Sequence, residues 1–338
     1  MTPSLPPHVQ LLQMISGYWV SQSLAVVAKL GIADRLVSGP QSCQTLAQLT
    51  HTHEDSLYRL LRALASVGVF TETAPRTFGL SPLAEYLRAD SPLSQRATAI
   101  MLGEQEHYES WSDLLYSVQT GQQAFKKRFG VEVFDYFAQN PEAAQIFEQS
   151  MNDFSRPETA AIIEAYDFSG FHTIVDVGGG YGEMLGTILQ QTPQVNGILF
   201  DEDYVIRGCA STLASHGIAD RCQAIAGSFF ESVPAGGDAY LLKHILHDWD
   251  DASCLKILGH CRQQLGATGK LLICEAVIPP GDQPSGAKFL DLNMLIMCHG
   301  GKERTQDEFA TLFDRAGFTL NRIVPTREDV CVIEGQVA

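Results

Sequence analysis

The sequence predicts an α/β protein, with a helical first half followed by a doubly wound, mostly parallel sheet. Three observations predict it. From Phe171 onward, short apolar runs alternate with helical segments. One run, TIVDV at 173–177, passes into a glycine loop and then a helix. Before residue 165, apolar positions recur instead at helical spacing.

The first half opens on a helix over Val9–Leu30, with Leu11, Leu12, Ile15, Val20, Leu24, Val27 and Ala28 at that spacing. Gln13, Ser16, Ser21, Gln22, Ser23 and Lys29 make it too polar to span a membrane, so it needs a partner surface. A short helix follows, from Gly31 through Leu36. Residues 45–70 give two more, the second with Leu57, Leu60, Leu61, Leu64 and Val67 on one face and a stop at Gly68. A short strand precedes Ser81-Pro82, which opens another helix. Three helices and a strand pair make a winged-helix pattern over residues 1–92. Its candidate recognition helix carries Arg59 and Arg62, but His51, His53, Glu54 and Asp55 precede it. Lacking the basic arm that phosphate contact needs, it reads as a dimerisation scaffold.

Residues 93–165 read as a helical linker and pocket region, rich in aromatic rings and broken at Asn140-Pro141. The strands of 166–338 are TIVDV, GILF, CQAIAG, DAYLLK, GKLLICEAV and a last pair around Ile323 and Val332.

Composition narrows the function. The chain has 338 residues, enough for two domains with a large core, and a formal net charge of −16. Nucleic-acid binding leaves a basic footprint, and none is visible. Lys126-Lys127-Arg128 reads as a solvated face. The eight cysteines form no C-x-x-C pair, so neither a disulfide framework nor a zinc site is expected, and no other metal site is. Scattered free cysteines favour a reducing cytoplasm. Met1–Pro7 has no basic region of the secretory kind.

The glycine loop narrows it further. Gly178, Gly180 and Gly182 give G-x-G-x-G, with Glu183 where a dinucleotide fingerprint has its third glycine. A carboxylate at a helix N-terminus repels a pyrophosphate. A phosphate-free, cationic cofactor fits better. Gly178 and Gly180 allow its close approach, Asp176 supplies negative charge, and Asp201 ends the next strand where ribose hydroxyls are bound. S-adenosylmethionine has those properties.

The blocks VDVGGGYG, DAYLLKHILHDWDD and GGKERTQDEF, in this order, resemble the small-molecule O-methyltransferase family. That family includes plant caffeic acid and isoflavone enzymes and bacterial antibiotic ones, and the likeness covers nearly the whole chain. It implies a Rossmann-like sheet with one antiparallel strand at the end and an intertwined homodimer formed by the winged-helix region. It places cofactor contacts at Gly178 and Asp201, Phe229 and Phe230 beside the adenine, and Lys243 on the adenine side. It makes His247 the catalytic base, followed by Asp248 and Trp249, with Glu275 and Glu303 holding the histidine. Two positions depart from the family. Ser228 stands where an acidic residue usually binds adenine, and Glu202-Asp203 replaces an apolar pair after Asp201.

The expected reaction is methyl transfer from S-adenosylmethionine to a hydroxyl of a small, aromatic molecule. Histidine suits removal of the hydroxyl proton, because its unperturbed pKa is about 6.5. A carboxylate on the far ring nitrogen would fix the tautomer. His244 is a neighbouring competitor that could face the cofactor instead. Met151, Phe154, Asn293, Met294 and Met297 are the acceptor-pocket candidates, with Asn293 to orient a polar group. Thr305 and Glu308 have capping-box spacing. The two departures motivate a second reading: a hydroxylase, decarboxylase or cyclase that binds the cofactor without methyl transfer. Neither a nucleic acid nor a membrane is an expected partner.

Overall fold

The structure is a computed structural model describing residues 5–338. Residues 1–4, the start of the expected first domain and of the Met1–Pro7 segment, lie outside the described residues. The chain divides into two compact units, Met1–Glu109 with Phe134–Phe154, and Ser110–Val133 with Ser155–Ala338.

The first unit begins with α1 (Pro7–Ile15) and α2 (Gly17–Lys29). The sequence predicted one helix here. Ser16 interrupts it, its hydroxyl donating back to the Leu12 carbonyl at 2.9 Å. Pro7–Lys29 is nevertheless long and apolar enough to cross a membrane by length and composition. No residue of α1 is buried, and Leu11, Leu12, Met14, Ile15 and Trp19 are exposed apolar side chains.

Next come α3 (Ile32–Arg35), β1 (Gln41–Ser42), α4 (Cys43–Thr50), α5 (Glu54–Ser66), β2 (Phe70–Ala74) and β3 (Thr77–Leu80). The strands form a small antiparallel sheet in the order β1-β3-β2, one strand more than the expected pair. Leu57, Leu61 and Leu64 of α5 pack on Ile32, Leu46, Phe70 and Phe78. Val67 was expected on that face. It caps α5 and is half exposed. The Ser81 hydroxyl accepts from the Ala84 amide at 3.2 Å, but only one 3-10 turn, Ala84–Leu87, comes after it. The unit also contains α6 (Arg96–Gly103) and most of α7 (Gln105–Ser112).

The second unit takes in α8 (Leu114–Thr120) and α9 (Ala124–Phe129). The basic run on α9 is neutralised locally, Lys126 by Glu132 and Lys127 by Asp113. Then α10 (Val133–Gln139) ends before Pro141, and α11 (Pro141–Ala165) crosses from one unit to the other at 154/155.

The sheet of the second unit holds β4 (Thr173–Val177), β5 (Asn196–Asp201), β6 (Cys222–Ala226), β7 (Ala239–Lys243), β8 (Lys270–Ile278), β10 (Phe318–Pro325) and β11 (Val330–Val337). The short β9 (Arg304–Thr305) pairs with the end of β8. Strand order is β10-β11-β8-β7-β4-β5-β6, with β6, β5, β4, β7 and β8 parallel. The antiparallel strand is β11, last in the chain but seated between β8 and β10. Both faces are buried, so between their ends the central strands are apolar apart from Asp176 of β4 and Glu275 of β8. Ile174, Leu199 and Leu241 face one core, and Val175, Phe200 and Tyr240 face the other.

Strand order reverses at β4. The chain moves outward from β4 through β5 to β6, then returns to place β7 on the other side of β4. Loops leaving the carboxyl ends of β4 and β7 therefore diverge and open a crevice, the place where such sheets bind ligands. The glycine loop follows β4, leading into α12 (Glu183–Gln191), and His247 follows β7.

α13 (Asp203–Ile206), α14 (Ala210–Ser215), α15 (Asp251–Gln264), α16 (Ala287–Met297) and α17 (Gln306–Arg315) complete the unit. Thr305 and Glu308 form the expected reciprocal capping box at the start of α17. Thr305→Ala should therefore lower stability by about 1 kcal/mol, measured as a reduced urea midpoint. An unchanged midpoint would show that the cap contributes nothing.

Candidate active site

The glycine loop is built by backbone geometry. Gly178, Gly180 and Gly182 have φ of 71°, 60° and 87°, the left-handed region that favours glycine. A side chain at Gly178 would collide with Ile245, two residues before His247, and would lie 3.7 Å from the Phe229 ring. Three sequence-distant segments thus meet at one glycine. Above Gly180 the space is open.

Asp176 and Asp201 sit beneath this loop. Asp201 Oδ2 accepts from the Gly180 amide at 2.8 Å, and its other oxygen accepts from the Glu202 amide at 2.7 Å. Its carboxylate therefore braces the loop as well as ending β5. Asp176 is buried, and its Oδ2 has no hydrogen-bond partner. Burial, with the charge of Asp201 beside it, pushes the Asp176 carboxyl up to about 7. Burial also raises Asp201.

Phe229 and Phe230 follow β6 in the stretch Gly227–Glu231. They meet edge to face at 4.9 Å, and Trp249 packs on Phe230 at 4.7 Å. Ser228 opens this turn, its carbonyl accepting from the Glu231 amide at 2.9 Å.

Lys243 ends β7. It donates to Ser155 at 3.0 Å and pairs with Glu158 at 3.2 Å. His244 also reaches Glu158, at 2.8 Å, from a backbone φ of 52° rare for a non-glycine residue. Burial opposes the Glu158 charge, but His244 and Lys243 outweigh it and hold the carboxyl down at about 2. Burial and Lys243 push His244 down. Sequence reading missed Glu158. It lies in the middle of a long helix, and nothing local marks it.

His247 lies in a single 3-10 turn, Leu246–Asp248, and is buried. Its Nδ1 meets Glu303 Oε1 at 2.7 Å, and its Nε2 lies 3.7 Å from Asp248 Oδ1. The His244 ring stacks on it at 5.0 Å. Glu275 was expected to hold the imidazole beside Glu303. Instead its Oε1 accepts from the backbone amides of Ile245, Leu246 and His247 at 3.2, 2.6 and 3.2 Å. It braces the turn and not the ring, because β7 ends at Lys243 opposite Cys274 and the backbone that follows passes over Glu275, the next residue of β8. Burial lifts Glu275 to about 7. Burial pushes His247 down, but Asp248, Glu303 and Glu275 more than reverse this and raise it to about 10.

On α16, Asn293 accepts from the Trp111 indole at 3.0 Å, which leaves its amide nitrogen as the donor on offer. Met294 and Met297 are buried in the same unit. Met151 and Phe154 belong to the first unit and are half exposed.

Two family models match the chain: an O-methyltransferase domain over residues 111–319 and an O-methyltransferase dimerisation domain over 12–90. This chain is a member of the O-methyltransferase family. It is 48% identical over 333 residues to the phenazine O-methyltransferase PhzM of Lysobacter antibioticus, covering 98% of this chain and 97% of that one. The crystal structure of LaPhzM superposes with a TM-score of 0.94 at 47% identity, covering 99% of this chain and 100% of that one. NcsB1 from neocarzinostatin biosynthesis, solved with S-adenosylmethionine and 2-hydroxy-5-methyl naphthoic acid, gives 0.81 at 31% identity, covering 94% and 96%. The chain is thus an S-adenosylmethionine-dependent methyltransferase acting on a small molecule, and it carries a dimerisation domain.

The glycine loop of this methyltransferase fits that cofactor chemically. An unpartnered buried carboxylate oxygen on Asp176 and a second carboxylate on Asp201 suit a cation without phosphates.

The carboxylates around His247 set its titration. Its folded pKa stands above the unfolded value of about 6.5. Its contribution to stability is therefore complete below that pH and is lost as pH rises through about 10. Glu303→Gln removes one of the raising charges. An NMR titration should then place the His247 ring lower than in the unaltered protein, and an unmoved titration would mean that Glu303 does not govern the ring.

Proposed function

We propose that this methyltransferase acts on a hydroxyl of a planar, fused aromatic molecule, with His247 as general base. The observation that carries this reading is the buried imidazole on the crevice edge, bonded at Nδ1 to Glu303 and two residues from the side chain against Gly178. Similarity to a phenazine O-methyltransferase supports the acceptor class.

Asp176, Gly178, Gly180, Asp201, Ser228, Phe229, Phe230 and Lys243 would hold the cofactor. S-adenosylmethionine supplies a methyl group activated by a positive sulfonium. The chain's own task is to orient the acceptor oxygen and manage its proton. Orientation can contribute roughly 7–11 kcal/mol. Glu303 accepts from Nδ1, so when the ring is neutral its lone pair is on Nε2. A neutral ring takes the proton from a phenol, and a protonated ring receives a phenolate. Both routes reach the same buried imidazolium–phenolate pair. Asp248, near Nε2, adds negative charge that stabilises the imidazolium. Glu275 acts through the backbone of the turn. Asn293, Met294 and Met297 are the acceptor-side residues of this unit.

The remaining features fit the same reading. Residues 1–92 serve as the dimerisation domain, 93–165 as linker and pocket region, and 166–338 as the catalytic domain. A second copy of the chain covers the exposed apolar side chains of α1, giving a homodimer in the cytoplasm, in secondary metabolism.

His247→Ala should cut turnover by roughly 10²–10⁴-fold, followed by mass spectrometry of the methylated product, while calorimetric S-adenosylhomocysteine binding stays close to the unaltered value. Turnover that survives the substitution rejects His247 as base. Asp176 gives a second test. Burial pushes its carboxyl up to about 7, and a cation favours the ionised form. S-adenosylmethionine affinity should therefore weaken as pH falls from 8 to 6, on the order of one ionisation, and Asp176→Asn should flatten that dependence. The same slope in both proteins would remove Asp176 from the site.

A further inference from the structure

We infer that Arg304 is a positioning residue for His247, gripping the carbonyl side of its turn while Glu275 grips the amide side. This rests on the reading of His247 as the base. One 3-10 turn is too short to satisfy its own backbone groups. The amides of Ile245, Leu246 and His247 all donate to Glu275. The His247 carbonyl accepts from the Lys302 amide at 2.8 Å. The Leu246 carbonyl accepts from Arg304 Nη1 at 3.0 Å, and the Trp249 carbonyl from Nη2 at 3.1 Å. The guanidinium is anchored in turn by Asp251 Oδ1 at 2.9 Å and Cys254 Sγ at 3.3 Å. Its side chain has no exposed surface.

A cation buried this completely is a poor stabiliser, since apolar side chains of similar volume fill such space at least as well. Its geometry points to another task. The planar fork of arginine spans two carbonyls at fixed separation, which a lysine ammonium does not reproduce. Arg304 also follows Glu303 directly. One dipeptide therefore holds both the His247 ring, through Nδ1, and the backbone from which that ring projects. The Glu303 amide is itself held by Asp291 at 3.0 Å. Ring and turn are locked to a common frame, and a base displaced by 1 Å can lose about 10²-fold in rate.

Arg304→Lys tests this, because it keeps the charge and loses the fork. With a hydroxylated phenazine as acceptor, kcat should fall about 10²-fold, with little change in KM or in calorimetric S-adenosylhomocysteine binding. In the ligand-free protein, the low-field Nδ1 proton of His247 seen by NMR should shift or broaden. Leu258→Ala, a core substitution on α15, serves as the control for lost stability and should leave that proton in place. Asp251→Asn, which loosens the guanidinium from its half-exposed side, should move the same proton in the same direction and covers the case of a lysine variant that does not fold. An unmoved proton in the Arg304 and Asp251 variants overturns the clamp. So does a kcat loss in Arg304→Lys no larger than Leu258→Ala shows at equal loss of Tm. If His247→Ala stays active while the proton still moves in Arg304→Lys, the base reading fails and the clamp stands.

Discussion

The proposed chemistry depends on one hydrogen bond, between His247 Nδ1 and Glu303 Oε1 at 2.7 Å. It joins a buried imidazole to a carboxylate with no exposed surface. Out of water such a bond orients the ring and favours its charged form. Every nearby device keeps it in register. Glu275 holds the amides beneath the ring, and the segment carrying Glu303 holds the carbonyls around it. That segment is held beside the site because β9 pairs with the end of β8.

The crevice is lined by carboxyl groups. Asp176 and Asp201 lie under the glycine loop, and Asp248, Glu275 and Glu303 surround His247. Burial raises the carboxyls of Asp176, Asp248 and Glu275, so each resists ionising. A positively charged methyl donor relieves that tension and a phosphate-bearing cofactor would increase it. The acidic surroundings and the G-x-G-x-G loop therefore select the same class of ligand. Lys243 offsets the charge of Asp176 only in part, because it is paired with Glu158.

Much of this was legible in the sequence, for physical reasons. Parallel strands buried on both faces are continuous apolar runs, and turns that need positive φ call for glycine, so β4, its loop and α12 were visible directly. Thr305 and Glu308 could be read as a cap because capping is local. Features that depend on side-chain direction were less visible. Glu275 was rightly associated with His247 but reaches its backbone. Glu158 and Arg304 act across long sequence separations, and no spacing announces them. The break at Ser16 is a single hydroxyl turning on its own helix, too small a signal to interrupt an apolar period. The single turn after Ser81-Pro82 shows that a good cap starts a helix without setting its length.

A set of hydroxy-aromatic acceptors of graded acidity gives the most direct test of the base. Acceptors already ionised at the working pH need no proton removed, whereas weakly acidic ones do. If His247 removes the proton, its loss should slow the weakly acidic acceptors far more than the ionised ones. Equal slowing across the set would contradict that role and leave His247 as a residue that only shapes the pocket.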